Sequence, residues 1–309
     1  MKVLIAYDGS RPSESALDDL DRMGLPEHGQ TLVVTVAEVW LPPPEASVDE
    51  AATSEYLEEI IARHREKGER LLNEAEVMVR HAAGRVRRIL PGWTVNQRAT
   101  YGSPGWEILS AADDFKPDLI VVGSHGHSII GRLMLGSISQ KVITEADCTV
   151  RVAHGKIEVD PAPGRLLIGF DGSAGANAAV KTVANRNWPK ATEVRLVAAT
   201  ASIVPTAIGR FIPPVADWAE DEQKAEYDWI ADLTEKASRK LTEAGLIVTT
   251  HVVVGNPNHV LVSEAETWHA DCIFVGANAF GSRLERFLLG STSSAVATRA
   301  HCSVEVVRK

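Results

Sequence analysis

Residues 117–139 read PDLIVVGSHGHSIIGRLMLGSIS, an apolar run that stops at a glycine, followed by a loop and a Leu-Gly-Ser step. Residues 270–293 read ADCIFVGANAFGSRLERFLLGSTS and follow the same plan. A short apolar run bounded by glycine is typical of a buried strand, and a small polar residue after glycine is typical of a helix start. Two copies in one chain indicate that a strand–loop–helix unit is duplicated.

The duplication extends over most of the chain. Three further pairs of segments match in the same order: KVLIAYDGS at 2–10 with RLLIGFDGS at 165–173, YGSPGWEIL at 101–109 with VGNPNHVLV at 254–262, and CTVRVAH at 148–154 with CSVEVVR at 302–308. A period of about 150 residues indicates two domains, not a solenoid of short units. We predict domains at 1–154 and 165–309, joined by a linker at 155–164 whose prolines and glycine suit a connector.

Within each half, short β-rich runs alternate with helical patterns. The first run, KVLIAY at 2–7, is almost continuously apolar, as is DLIVVG at 118–123. Strands that are apolar on both faces and separated by helices predict a parallel sheet covered by helices on both sides. The sequence therefore predicts an α/β fold with two doubly wound parallel sheets, one in each half.

The expected ligand site follows from this topology. Open parallel sheets bind ligands beyond the carboxyl ends of their strands, where the strand order reverses. Asp8 ends the first predicted strand and Gly123 ends the fourth. If crossovers are right-handed and these strands are neighbours, both residues lie at that switch point.

The glycines and serines of the loop suit a phosphate ligand. Gly123 and Gly126 let the backbone turn tightly, and the helix that opens at Gly136-Ser137 offers free N–H groups to an anion. Hydroxyls such as that of Ser139 would add donors. A purely structural interpretation is also open, in which these are turn glycines and a serine cap of an ordinary strand–helix connection.

The spacing Gly123, two residues, Gly126, nine residues, Gly136-Ser137 resembles the nucleotide-binding signature of the universal stress protein family. The DGS at 8–10 is similar to that family's opening motif, and the resemblance covers both halves. It implies five-stranded parallel sheets in the order 3-2-1-4-5, the adenine nucleotide alpha hydrolase-like fold. In the ATP-binding branch it also implies ATP in the cleft, with or without Mg²⁺.

The resemblance also implies which residues would contact the nucleotide. In the first half they are Ala6, Tyr7, Asp8, Val36, Gly123, Gly126, His127, Gly136, Ser137, Ile138 and Ser139. In the second half they are Asp171, Gly276, Gly290, Ser291, Thr292 and Ser293. Asp8 is expected near the adenine and ribose, Val36 against the base, and the Gly136 segment at the phosphates.

The second half departs from the signature. Ala279 stands where the second glycine is expected, and ten residues, not nine, separate it from Gly290. The base-packing position is assigned to Ala198, which is smaller than Val36. A Cβ in the loop and a shifted spacing predict weaker binding, so we expect the first half to bind more tightly.

The sequence predicts a binding and signalling protein rather than an efficient enzyme. The Walker A, GxSxG, HExxH and GxGxxG patterns are absent from the sequence, and no paired acid and base is evident. Two alternatives stay open: a slow ATP hydrolase or nucleotide-transfer enzyme, and an interaction module without nucleotide. Domains of this family often pair through their last strands, so we expect the two halves to pair within the chain, with a homodimer left open.

Bulk properties exclude several other classes. A net charge of −9 argues against a nucleic-acid partner, and no stretch approaches the roughly 20 apolar residues of a membrane span. The three cysteines have no CxxC spacing, and the His125–His127 pair lacks a nearby carboxylate, so no metal site is predicted. Inert buried thiols and a start without a signal-peptide pattern suit a cytoplasmic protein.

Overall fold

The computed structural model describes residues 1–38, 55–125, 135–154, 164–200, 213–277 and 289–308. The strands are β1 (Lys2–Ala6), β2 (Gly29–Ala37), β3 (Trp93–Tyr101), β4 (Leu119–Gly123), β5 (Thr149–Ala153), β6 (Arg165–Gly169), β7 (Glu193–Thr200), β8 (Ile247–Val254), β9 (Cys272–Gly276) and β10 (Ser303–Val307). The helices are α1 (Arg11–Asp18), α2 (Glu55–Ile89), α3 (Pro104–Phe115), α4 (Ser137–Glu145), α5 (Ala174–Ala184), α6 (Pro213–Glu243), α7 (Pro257–Trp268) and α8 (Ser291–Arg299).

All ten strands form one sheet, in the order β3-β2-β1-β4-β5-β10-β9-β6-β7-β8. Each half contributes five parallel strands in the order 3-2-1-4-5, which confirms the predicted fold class. The two predicted sheets are joined because β5 and β10 pair antiparallel, the one antiparallel pairing among the described strands. The halves therefore associate within the chain through their last strands, as expected.

Helices cover both faces of the sheet. On one face, a single core runs across both halves, where α3, α4, α7 and α8 pack on side chains such as Leu4, Ile120, Leu167 and Ile273. On the other face, α1 and α2 cover the first half and α5 and α6 cover the second, around two separate cores. The shared core makes the junction of the halves part of the hydrophobic interior.

The topology brings together the strand ends that the sequence analysis expected to be neighbours. The first strand of each half lies between the second and the fourth, so strand order reverses beside it. Residues that follow β1 and β4 therefore meet at one edge of the first half, and those that follow β6 and β9 meet at the equivalent edge of the second. These edges carry Asp8 and Asp171.

Candidate functional site

The two DGS loops are tight turns with the same internal bonds. The Asp8 carboxylate accepts a hydrogen bond from the Ser10 N–H at 3.0 Å, and Asp171 accepts one from the Ser173 N–H at 2.9 Å. The glycine between them has a φ of +74° in the first loop, where L side chains are strained. One oxygen of each aspartate therefore fixes the turn that leads into α1 or α5.

The loops after β4 and β9 are anchored to their strands in the same way. The Gly136 N–H donates to Ser124 O and the Gly290 N–H donates to Ala277 O, both at 2.8 Å. One turn into the helix, the Ser139 hydroxyl donates to a strand carbonyl, Gly123 O, at 2.6 Å. Ser293 makes the equivalent bond to Gly276 O at 2.5 Å.

These serine bonds change the role expected for two predicted residues. Ser139 and Ser293 are buried, and their hydroxyl protons are already donated within the fold. They position the starts of α4 and α8 beside the strand ends. Ser137 and Ser291, the first residues of α4 and α8, are by contrast exposed to solvent.

The strand-ending glycines have a packing reason. A Cβ at Gly123 would lie 2.9 Å from the backbone of Ser13, and one at Gly276 would lie 2.8 Å from the backbone N of Ala176. Only glycine lets the first turns of α1 and α5 approach these strands so closely. The structural interpretation left open by the sequence therefore explains these two positions without a ligand.

Helices α4 and α8 begin without a side-chain cap. Their N-cap residues are Gly136 and Gly290, which bear no side chain that could accept from the first turn, and neither first turn contains an acidic residue. The first-turn N–H groups and the helix dipole thus favour an anion at each start.

The second half holds a cavity of about 430 Å³ at this edge. All six residues predicted for this half line it, and the full lining is Gly169, Phe170, Asp171, Ser173, Ala176, Val197, Ala199, Pro257, Leu261, Val275, Gly276, Ala277, Leu289, Gly290, Ser291, Thr292 and Ser293. The polar groups lie on the DGS turn and on the start of α8, and the remaining wall is mostly apolar. One cavity thus joins an apolar surface to the uncapped start of α8.

The structure corrects one sequence assignment. Ala198 was expected to match Val36, but Phe170 N bonds to Val197 O as Tyr7 N bonds to Val34 O. The position that matches Val36 is therefore Ala199. A shift of one residue reverses the face of a strand, so Ala198 is buried in the sheet while Ala199 lines the cavity.

In the first half, the structure brings part of the predicted set together. Ala6, Val36 and Ile138 are partly buried and pack against the core that both halves share. Tyr7 points to the opposite face, where its hydroxyl donates to Glu14, and burial raises the pKa of the phenol. Gly126 and His127, like Ala279 of the second half, lie outside the described residues.

Pro257 and Leu261 of α7 line the cavity and were missed by the sequence analysis. A signal for them existed, because the segment that contains both is one of the repeated blocks. The sequence analysis used this segment only to align the two halves. Because the segment follows β8, it also lies over the carboxyl ends of the strands.

Among the described residues, no group of three or more His, Cys, Asp or Glu could hold a metal ion.

The three cysteines are free thiols. Burial raises the pKa of Cys148 to about 11 and that of Cys302 to about 12, and it raises the pKa of Cys272 well above its ordinary value. All three are therefore protonated at neutral pH. Cys272 is buried as predicted, whereas Cys148 and Cys302 are only partly buried. No helix in the described part of the chain combines the length and apolar character needed to cross a membrane.

Comparison with known proteins agrees with this architecture. The sequence profile of the Universal stress protein family matches residues 1–154 and again residues 163–308. The chain belongs to the universal stress protein family. A universal stress protein of Mycolicibacterium smegmatis is 26% identical over 309 residues, which cover 99% of this chain and 96% of that protein.

Shorter and structural relatives complete the comparison. A universal stress protein of Thermus aquaticus is 34% identical over 148 residues, 48% of this chain and 94% of that protein. The crystal structure of a universal stress protein from Archaeoglobus fulgidus aligns with a TM-score of 0.57 at 20% identity, covering 100% of this chain and 96% of that one. This chain is thus a tandem member of the family, with one family domain in each half.

Proposed function

We propose that this universal stress protein binds an adenine nucleotide, ATP with or without Mg²⁺, at the strand-end edge of each half. The cavity of the second half carries the proposal, because it joins an apolar wall to the uncapped start of α8. A volume of about 430 Å³ lies in the range of small-molecule sites. An adenine ring needs such an apolar wall, and a polyphosphate needs such a helix end.

The lining residues divide accordingly. Val197, Ala199, Leu261 and Asp171 line the cavity. In the proposed complex the first three would contact the base, and Asp171 would bond the ribose. The first-turn N–H groups of α8, with the exposed Ser291 hydroxyl, would receive phosphate oxygens. When bound, ATP supplies a polyanion that complements the positive end of the helix dipole.

The first half offers the equivalent groups. Asp8, Val36 and Ser137 stand at the positions of Asp171, Ala199 and Ser291 in the repeat. Gly136 opens α4 as Gly290 opens α8. We therefore propose two sites per chain, with the intact glycine spacing of the first half giving the tighter one.

We propose a sensing or regulatory role in a stress response, with slow hydrolysis at most. The cavity lining contains no histidine or lysine and one carboxylate, Asp171, which holds its own turn. Among the described residues of this lining, no acid–base pair is thus positioned to activate water. A measured ATP turnover in the usual enzyme range of about 1–1,000 per second would contradict the proposal.

Two measurements test nucleotide binding directly. Denaturing the protein purified without added nucleotide and analysing the released molecules by mass spectrometry should identify an adenine nucleotide. Calorimetric titration with ATP should give two sites per chain. If neither released nucleotide nor binding is observed, the alternative of a nucleotide-free interaction module is favoured.

Substitutions that fill each site separate the halves. Ala199→Trp should abolish one site and Val36→Trp the other, because each introduces an indole at the base wall. Val254→Trp is the matched control, since Val254 is exposed on β8 and lies outside the cavity lining. Loss of both sites from either variant, or loss of binding in the control, would show that Val36 and Ala199 do not form the walls that contact the base.

A cytoplasmic location and a homodimer stay predictions from the sequence.

A further inference from the structure

The junction of the two halves places two buried opposite charges face to face. In the antiparallel β5–β10 pair, Arg151 lies directly opposite Glu305, with Val152 opposite Val304. Arg151 and Glu305 also occupy equivalent positions of the repeat, since each is three residues after the matched cysteine of its half. The pseudo-two-fold axis that relates the halves therefore passes between these two side chains.

Both side chains are removed from water. Arg151 is 1% exposed and Glu305 is 0% exposed, and Arg151 Nη1 lies 3.3 Å from Glu305 Oε2. Charged residues are almost never buried to this degree without partners. The alternating pattern of CTVRVA would ordinarily direct such a side chain to solvent, but the helices and the second half cover it.

Each of the two charges has a second partner from its own half. Arg151 Nε donates to Asp19 Oδ2 at 2.6 Å, and Arg186 Nη1 donates to Glu305 Oε2 at 2.9 Å. Two positive and two negative groups are thus gathered around the axis. Burial raises the pKa of Asp19, and the neighbouring Arg151 guanidinium opposes this shift. The charged Asp19 carboxylate is therefore stable in the interior only while Arg151 stays beside it.

Further bonds cross the junction in both directions. The Ser303 hydroxyl donates to Asp19 Oδ2 at 3.1 Å, and Arg186 donates to Met23 O at 3.2 Å. Arg151 Nη1 also lies 3.2 Å from Cys272 Sγ. Asp19 and Arg186, two charged groups in these contacts, each occur in one half only, since the equivalent residues of the other half are Thr182 and Met23.

We propose that the Arg151–Glu305 pair makes each half selective for the other half and against a second copy of itself. Two first halves joined in this way would place Arg151 against Arg151, and two second halves would place Glu305 against Glu305. Like charges directly opposite on paired strands are destabilising, and burial increases the effect. Selectivity arises because a pair of like halves is destabilised and the pair of unlike halves is stabilised.

The partner that occupies each last strand is the other half of the same chain. A covalent connection gives the complementary half a high effective concentration, and charge complementarity determines which half is accepted. Both last strands are thereby paired within one chain. Any association between chains must then use a surface other than the β5–β10 pairing.

A cleavable chain tests the selectivity. A protease site is inserted within 155–163 of the full chain, the folded protein is cut, and the pairs are counted by native mass spectrometry after mixing with isotope-labelled cut protein. We expect pairs of one first half with one second half in at least tenfold excess over pairs of like halves. A statistical mixture of pairs, or separation into unpaired halves, would overturn the proposal.

Two substitutions show whether the central pair is responsible. Glu305→Gln keeps the shape of the side chain but removes its charge, so pairs of two second halves should increase at least tenfold. Glu305→Arg places two positive charges opposite each other, so the pair of one first half with one second half should dissociate more than in the wild type. Glu193→Gln is the matched control, because Glu193 pairs with Arg165 at 3.5 Å on the surface. If Glu305→Arg does not fold, Glu305→Gln decides: a distribution of pairs equal to that of the control would refute the role of the central pair.

Discussion

His154 and Arg308 follow the last strands of the two halves at equivalent positions, and each donates to the helix that begins at the candidate site of the other half. His154 Nε2 lies 2.9 Å from Ala297 O of α8, and Arg308 Nη2 lies 2.7 Å from Ile143 O of α4. Ala297 and Ile143 are themselves equivalent in the repeat. Each candidate site is thus built on a helix whose last turn is held by the opposite half.

The His154 contact should make stability depend on pH. Burial lowers the pKa of His154 to about 4 from its ordinary 6.5, so the folded protein holds a neutral ring that donates from Nε2. The unfolded chain binds a proton at higher pH, so this stabilisation is complete above pH 6.5 and is lost as the pH falls toward 4. We expect urea unfolding to show a loss of about 2 kcal/mol from this residue between pH 7 and pH 5.

His154→Gln is the matched variant for this measurement. Glutamine retains a donor for Ala297 O but does not titrate. The variant should therefore lose less stability than the wild type over the same pH interval, by about that 2 kcal/mol. Parallel curves for the two proteins would show that His154 is not the group responsible.

Arg308 should contribute to stability through the last turn of α4. It donates to Ile143 O at 2.7 Å and Thr144 O at 3.0 Å, and both carbonyls lie near the C-terminal end of the helix dipole. Arg308→Met leaves them without this donor, so we expect a loss of about 1–3 kcal/mol in the free energy of unfolding. Arg299→Met, at an exposed position in the last turn of α8, should cost less than about 0.5 kcal/mol.

The glycine that ends β9 should tolerate no side chain. In Gly276→Ala the new Cβ would lie 2.8 Å from Ala176 N, so α5 must move, and we expect a loss of at least about 1–3 kcal/mol. Gly84→Ala in α2 meets no atom within 4 Å and should stabilise by up to about 1 kcal/mol through helix propensity. Thermal unfolding of both variants distinguishes packing from a generic effect of losing glycine. Similar shifts in Tm for the two would contradict the packing role of Gly276.

The sequence was sufficient for the features that depend on local pattern. The duplication into two halves and the edge that carries Asp8 and Asp171 follow from apolar runs, glycine positions and the rule for ligand sites in parallel sheets. The strand order 3-2-1-4-5 was implied by the resemblance to the universal stress protein family. Ser291 and Gly290 were placed in the second site because a Gly-Ser step at a helix start is a local signal. The fold class and strand order are confirmed, and Gly290 and Ser291 line the cavity of the second half, whereas their role as ligand contacts stays a prediction.

The features that the sequence missed depend on pairing across the fold. Ala198 and Ala199 are adjacent small residues of β7, and the hydrogen bond from Phe170 N to Val197 O shows which of them matches Val36. Arg151 gave no sign of burial, since the groups around it are distant in sequence: Glu305 and Cys272 of the other half, and Asp19 of its own half. The donors to Ala297 O and Ile143 O were likewise invisible, because no local pattern links a strand end to a helix about 150 residues away.

The two halves should differ in nucleotide affinity, and a matched pair of substitutions can measure the difference. A Cβ at Gly136 would lie 3.1 Å from His125 Cα, and one at Gly290 would lie 3.1 Å from Ala277 O, so valine meets loop backbone at a similar distance in each half. The structural disturbance is therefore comparable, and a difference in ATP binding reports the site itself. We expect Gly136→Val to remove most of the affinity and Gly290→Val to remove less, because the first loop keeps every glycine of the signature. Calorimetry decides between the halves: equal losses, or a larger loss from Gly290→Val, would assign the stronger site to the second half.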